Sequence, residues 1–100
     1  MQPSLACACS NRWLSTMLLD RNCGRMPAEV LAVLNEANIE GRHLWKPMHS
    51  QPVFSHAKYV KAGEASVSEE LFSRGICLPS DTKMSMDDVD HVCKVIREMF

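Results

Sequence analysis

Arg42-His43-Leu44-Trp45-Lys46-Pro47-Met48-His49-Ser50-Gln51-Pro52 gathers two cations, two imidazoles, an indole and an amide into eleven residues. No helix or strand asks for such a set. Guanidinium, ammonium and imidazole groups suit a phosphate or a sugar phosphate. An indole can stack on a flat ring or fill a gap in a core. Pro47 and Pro52 bracket His49 and restrict its backbone. His49 is therefore the first candidate for substrate binding, with Trp45, Lys46, Arg42 and Gln51 behind it. The alternative is a structural loop, in which His49 is buried and bonded to a backbone carbonyl while Trp45 closes the core.

Other reactive-looking residues carry less. Asp87, Asp88 and Asp90 form an acidic cluster with His91 beside them. They fall in the first turn of an expected helix, where the macrodipole already accounts for them. Ser55-His56-Ala57-Lys58, followed by Gly63-Glu64, imitates the surroundings of a Schiff-base lysine. Such a lysine needs a desolvated pocket, and Lys58 and Lys61 lie in a polar stretch with no apolar frame. Neither catalytic nor cofactor-binding residues are assigned. The cysteines, Cys7, Cys9, Cys23, Cys77 and Cys93, are odd in number and contain no C-x-x-C pair. They read as free thiols of a reducing, cytoplasmic compartment, with no metal site among them.

One hundred residues allow a single domain. Eleven basic against 12 acidic residues give a net charge of −1, which argues against a nucleic-acid surface. Hydrophobic residues at 46% and charged residues at 23% describe an ordinary soluble chain. No apolar run is long enough to span a membrane. Met1–Asp20 lacks the basic start and apolar stretch of a signal peptide.

The elements that must position the loop follow from spacing. Residues 1–9 read as a disordered or extended terminus, and residues 10–100 as the folded domain. Arg12–Leu19 predicts a buried strand, closed by the turn-rich Asp20–Gly24. Met26–Ile39, with Pro27 at a first helical position and Val30, Leu31, Leu34 and Ala37 on one face, predicts an amphipathic helix stopped by Gly41. Arg42–Trp45 fits a brief edge strand. Pro47 to Gly63 reads as an ordered irregular loop, a type that is often functional. Ser66–Ser73 predicts a helix with Ser66 and Glu69 in a capping-box pattern and Gly75 at its end. Ile76–Leu78 predicts a short buried strand. Ser85 is the expected N-cap of a last helix whose buried stripe is Val89, Val92, Cys93, Ile96 and Phe100. The order β-α-β-loop-α-β-α implies a small two-layer α/β (α+β) sandwich.

Several strings occur together in one order: Ser10-Asn11-Arg12-Trp13-Leu14-Ser15, Asn38-Ile39-Glu40, Trp45 through Phe54, and Glu70 through Ser80. They resemble the C-terminal part of the DegT/DnrJ family of nucleotide-sugar aminotransferases, over nearly the whole chain. Trp-Lys-Pro-Met-His and Cys-Leu-Pro-Ser are the specific ones. The chain departs from the family pattern at His43, often proline there, and at Asp81, where glycine is common. The resemblance implies the minor domain of a fold-type I transferase dependent on pyridoxal 5′-phosphate. It implies a dimer that moves an amino group from glutamate to a keto nucleotide sugar in amino-sugar biosynthesis. It also implies a large N-terminal domain carrying the Schiff-base lysine and the phosphate-binding residues, whose motifs are not among these residues. On that reading the chain is a fragment, inactive and without bound cofactor by itself. Its partners would be the large domain, the nucleotide sugar and another copy of itself. A second reading keeps the fold as a stand-alone module that binds a sugar phosphate or a protein without catalysis. A third is a purely structural, oligomer-forming domain.

Overall fold

Pro27 begins the first helix because a residue at that position has no intrahelical partner for its N–H and loses nothing by lacking one. The structure, a computed structural model, describes residues 6–100. The expectation of an extended terminus falls, for residues 1–5, outside them. Strand β1 is Ser15–Leu18, helix α1 is Pro27–Glu36 and strand β2 is Arg42–His43. Two single 3-10 turns, Met48–Ser50 and Pro52–Phe54, punctuate the long loop. Helix α2 is Val67–Arg74, strand β3 is Gly75–Leu78 and helix α3 is Met86–Arg97. The element order expected from the sequence is thus present as a small α+β fold with a three-stranded antiparallel sheet and three helices.

The sheet order is β1-β3-β2. Met17 faces Ile76 across β1 and β3, and His43 faces Ile76 across β2 and β3. Directly paired residues share a face, so Met17, Ile76 and His43 lie on one side of the sheet. Ile76 is fully buried there with Val30 and Leu34 of α1, and Val92 of α3, Leu19 and Ile39 complete the core.

Three expectations need correction. β1 is not a buried strand: it pairs on one edge only, and of its residues only Met17 is even half-buried. Gly41 does not stop α1. The helix ends five residues earlier, where Asn38 takes the left-handed conformation (φ 59°). The Asn38 N–H then donates to Asn35 O at 3.0 Å and the Ile39 N–H to Leu34 O at 2.8 Å. That is a Schellman closure, with asparagine in the place glycine usually holds. Gly41 serves packing instead, since a Cβ there would stand 2.8 Å from Leu31 Cδ2 and 3.0 Å from Leu34 Cδ1. The apolar stripe expected on α3 is also narrower than its spacing suggests. Val92 is buried and Cys93 and Ile96 are half-buried, whereas Val89 and Phe100 are exposed. Phe100 lies beyond the last helical residue and is exposed.

The cap expected at Ser85 forms, and α1 carries one that its sequence had not announced. Glu29 accepts from the Met26 N–H at 2.6 Å at the head of α1. At the head of α3, Ser85 Oγ accepts from the Asp88 N–H, and the Asp88 carboxylate accepts in return from the Ser85 N–H at 2.8 Å. Asp87 and Asp88 are therefore accounted for by the helix start, whereas Asp90 lies beyond the first turn.

Candidate functional site

The loop between β2 and α2 holds its shape by local backbone turns. The Ser50 N–H donates to Pro47 O, the Gln51 N–H to Met48 O and the Phe54 N–H to Gln51 O. Pro47 is buried, anchoring the start of the loop. The Gln51 side-chain amide donates to the Lys46 carbonyl at 3.2 Å and lies 3.6 Å from Met48 Sδ. Gln51 thus closes the turn that carries His49.

His49 is the most constrained of the candidate residues. Its side chain is 16% exposed, and Nε2 lies 2.9 Å from Glu69 Oε1 in the first turn of α2. Its ring stacks on Tyr59, with centroids 3.6 Å apart and planes 11° from parallel. Tyr59 Oη in turn lies 2.9 Å from Ser66 Oγ, the N-cap of α2, which also accepts from the Glu69 N–H at 3.4 Å. Four side chains from the loop and the head of α2 therefore form one connected set.

This set explains why the capping box expected at Ser66 and Glu69 closes on one side only. Ser66 accepts from the Glu69 amide as a box requires. The Glu69 carboxylate does not return to the Ser66 backbone but goes to His49. The hydrogen bond from His49, aided by Ser66 and by the charge of Lys61, holds the Glu69 carboxyl below the usual carboxylate range.

The other candidates are dispersed. Arg42 turns to Glu40, with Nε and Nη2 at 2.8 and 2.5 Å from Oε1. Lys46 is exposed and forms no ion pair among the described residues. Trp45 is 64% exposed and tilts against Trp13, itself 70% exposed, with centroids 6.2 Å apart. The partner of His49 is thus a carboxylate rather than the backbone carbonyl a purely structural loop was expected to offer, and Trp45 is exposed rather than closing the core.

Sequence reasoning missed Tyr59 and the second role of Glu69. The spacing of Ser66 and Glu69 was visible, but a capping pattern accounted for it fully and gave no reason to look across the loop. Tyr59 stands in a stretch without periodicity, and only the fold brings it under His49. Tyr59 also lines an open groove of about 760 Å³ along the head of α2, with Lys61, Val67 and Leu71. All five lysines, Lys46, Lys58, Lys61, Lys83 and Lys94, are exposed. No group of three or more His, Cys, Asp or Glu side chains among the described residues could hold a metal ion. No helix among them is long and apolar enough to cross a membrane.

The DegT/DnrJ/EryC1/StrS aminotransferase family matches residues 3–97. A Bacillus subtilis (strain 168) protein named "putative pyridoxal phosphate-dependent aminotransferase EpsN" is 46% identical over 98% of this chain and 25% of its own length. The GDP-perosamine synthase of Vibrio cholerae is 28% identical over 88% of the chain and 23% of its own length. The GDP-perosamine synthase of Escherichia coli O157:H7 is 37% identical over 62% of the chain and 16% of its own length. The chain spans about a quarter or less of the curated relatives it matches. Its match to the family runs through β1, the Trp45–Phe54 loop, α2 and β3, and the chain belongs to the DegT/DnrJ/EryC1/StrS aminotransferase family.

Proposed function

We propose that this chain forms the small C-terminal domain of a pyridoxal-phosphate-dependent aminotransferase acting on nucleotide sugars. The amino group moves from glutamate to a keto nucleotide sugar, and the small domain supplies part of the wall against which the sugar nucleotide lies. One observation carries the reading: nearly the whole chain matches a quarter of an aminotransferase-named relative, and two further matches are named GDP-perosamine synthases.

Pyridoxal phosphate supplies the electron sink and needs a lysine in a desolvated pocket. The lysines here all face solvent, so the residues of this chain do not by themselves fit the cofactor. The Schiff-base lysine belongs, on this proposal, to the large N-terminal domain of the same enzyme, and the 100 residues alone are inactive. What this chain contributes is recognition. His49 offers a ring held in place to the sugar nucleotide. Lys46 and Arg42 bring positive charge toward a pyrophosphate. Trp45 offers a flat apolar face, and Gln51 keeps the turn closed. The site is cytoplasmic. Exposed Trp13, Trp45, Met48, Val53, Val60 and Val67 form the apolar surface that the large domain or a second copy covers.

The test uses the protein encoded by the continuous reading frame that contains these residues, loaded with pyridoxal phosphate. Mixed with L-glutamate and no acceptor, it is expected to release one equivalent of 2-oxoglutarate per active site, so the outcome does not depend on guessing the sugar. A frame that closes on these 100 residues, or a full-length protein that leaves glutamate untouched, overturns the proposal.

A further inference from the structure

His49 has two ring nitrogens, and only one is committed. Nε2 lies 2.9 Å from Glu69 Oε1. An ionised carboxylate can only accept, so the proton of that bond sits on Nε2. In the neutral imidazole the other nitrogen, Nδ1, then carries a lone pair. Among the described residues Nδ1 has no hydrogen-bond partner. The ring plane is fixed independently, by the near-parallel stack on Tyr59 at 3.6 Å. Tyr59 is itself tied through its hydroxyl to Ser66, and Ser66 to the backbone of Glu69. One turn of α2 thus sets both the proton position and the tilt of a ring that sits twenty residues away in sequence.

We infer that Glu69 and Tyr59 are positioning residues for His49, and that the neutral ring presents Nδ1 as an acceptor, so its ligand is a hydroxyl or ammonium hydrogen rather than a phosphate oxygen. The positioning rests on geometry alone, and only the ligand clause rests on the function proposed above. The charged groups that bear on the pair are few. Glu69 faces His49 from α2, Lys61 bears on Glu69 from the loop, and Tyr59 contributes a ring face.

The experiment is nitrogen-15 NMR of the His49 ring in the 100-residue chain at neutral pH, read beside Glu69→Gln, Tyr59→Leu and His49→Ala variants. The expected result is an Nε2–H ring with an unprotonated Nδ1, and ring protons shifted upfield by the tyrosine. Tyr59→Leu removes that upfield shift. Glu69→Gln moves the nitrogen shifts toward a tautomer mixture. Carbon-13 titration of the Glu69 carboxyl in His49→Ala shows its midpoint rising toward the ordinary carboxylate range. Inorganic phosphate added at neutral pH leaves the Nδ1 shift in place. An Nδ1–H ring in the wild-type chain overturns the inference even if no variant folds. So does a Glu69 midpoint indifferent to His49, ring shifts indifferent to Tyr59, or an Nδ1 signal that moves with phosphate. None of these readings needs the cofactor or a sugar, so they can fail while the glutamate half-reaction succeeds, and the reverse.

Discussion

The two halves of this domain are held together by different physics. Around β3, α1 and α3 the chain is closed: Val30, Leu34 and Ile76 are fully buried, and both helix starts are capped. From Trp45 to Arg74 no helical residue is buried, and Val53, Val60 and Val67 stand in solvent. There the organisation is polar and aromatic, through His49, Glu69, Tyr59 and Ser66. An ion pair joins that half to the packed one: Glu70 binds Arg21 at 2.5 Å and Arg74 at 3.2 Å, and Arg74 donates to the Leu19 carbonyl. The first half maintains the fold, and the second displays side chains on it.

The largest effect expected from this contrast is in the packed half. Leu34→Ala empties a fully buried site, which typically costs about 2–5 kcal/mol. Urea denaturation should show that loss, whereas Val67→Ala on the exposed stripe of α2 should stay within about 0.5 kcal/mol. Comparable losses from the two variants would erase the distinction between the halves.

Ser85→Ala should act at an intermediate level. It removes the N-cap of α3, a loss of about 1 kcal/mol, and it also changes the response to acid. The Ser85 hydroxyl, then its amide, hold the Asp88 carboxyl below the usual carboxylate range. A carboxyl depressed in the folded state stabilises the fold above its unfolded pKa, and that contribution disappears as pH falls through the folded value. Stability curves of wild type and Ser85→Ala should therefore converge in acid and separate toward neutral pH. Parallel curves would remove the cap from the account.

The smallest effect expected on stability belongs to the display half, at Trp45. Trp45→Ala should leave the melting temperature nearly unchanged, because the residue is largely exposed and so is Trp13, the ring it tilts against. The same change should lower self-association measured by sedimentation if the exposed aromatic pair is a contact surface. A chain that remains monomeric at high concentration would leave this apolar surface without a role in assembly.

The packed half was the legible half. Val30 and Leu34 announced themselves by helical spacing, and Ser85 by its place as an N-cap ahead of an acidic turn, because local rules decide both. β1 misled because apolar density alone does not say how many strands will flank it, and only the sheet order makes it an edge. Gly41 misled because Asn38, a residue that tolerates the left-handed conformation, did its work three positions earlier. In the loop, sequence located His49 through its proline frame but could not supply its partners. Glu69 is twenty residues off and had a sufficient local explanation. Tyr59 belongs to no period at all. Contacts made by an irregular loop are set by the fold around it, so they leave no spacing to read.

The role of the loop turns on whether the His49 ring meets substrate. The direct measurement is kcat/KM of the full-length enzyme carrying His49→Asn, taken with its melting temperature. A fall of tenfold or more, about 1.4 kcal/mol in the transition state, with melting shifted by no more than a degree or two, is the result expected of a ring that lies outside the packed half. Unchanged kcat/KM, or a loss of stability large enough to account for all the lost activity, would return the loop to scaffold and contradict it.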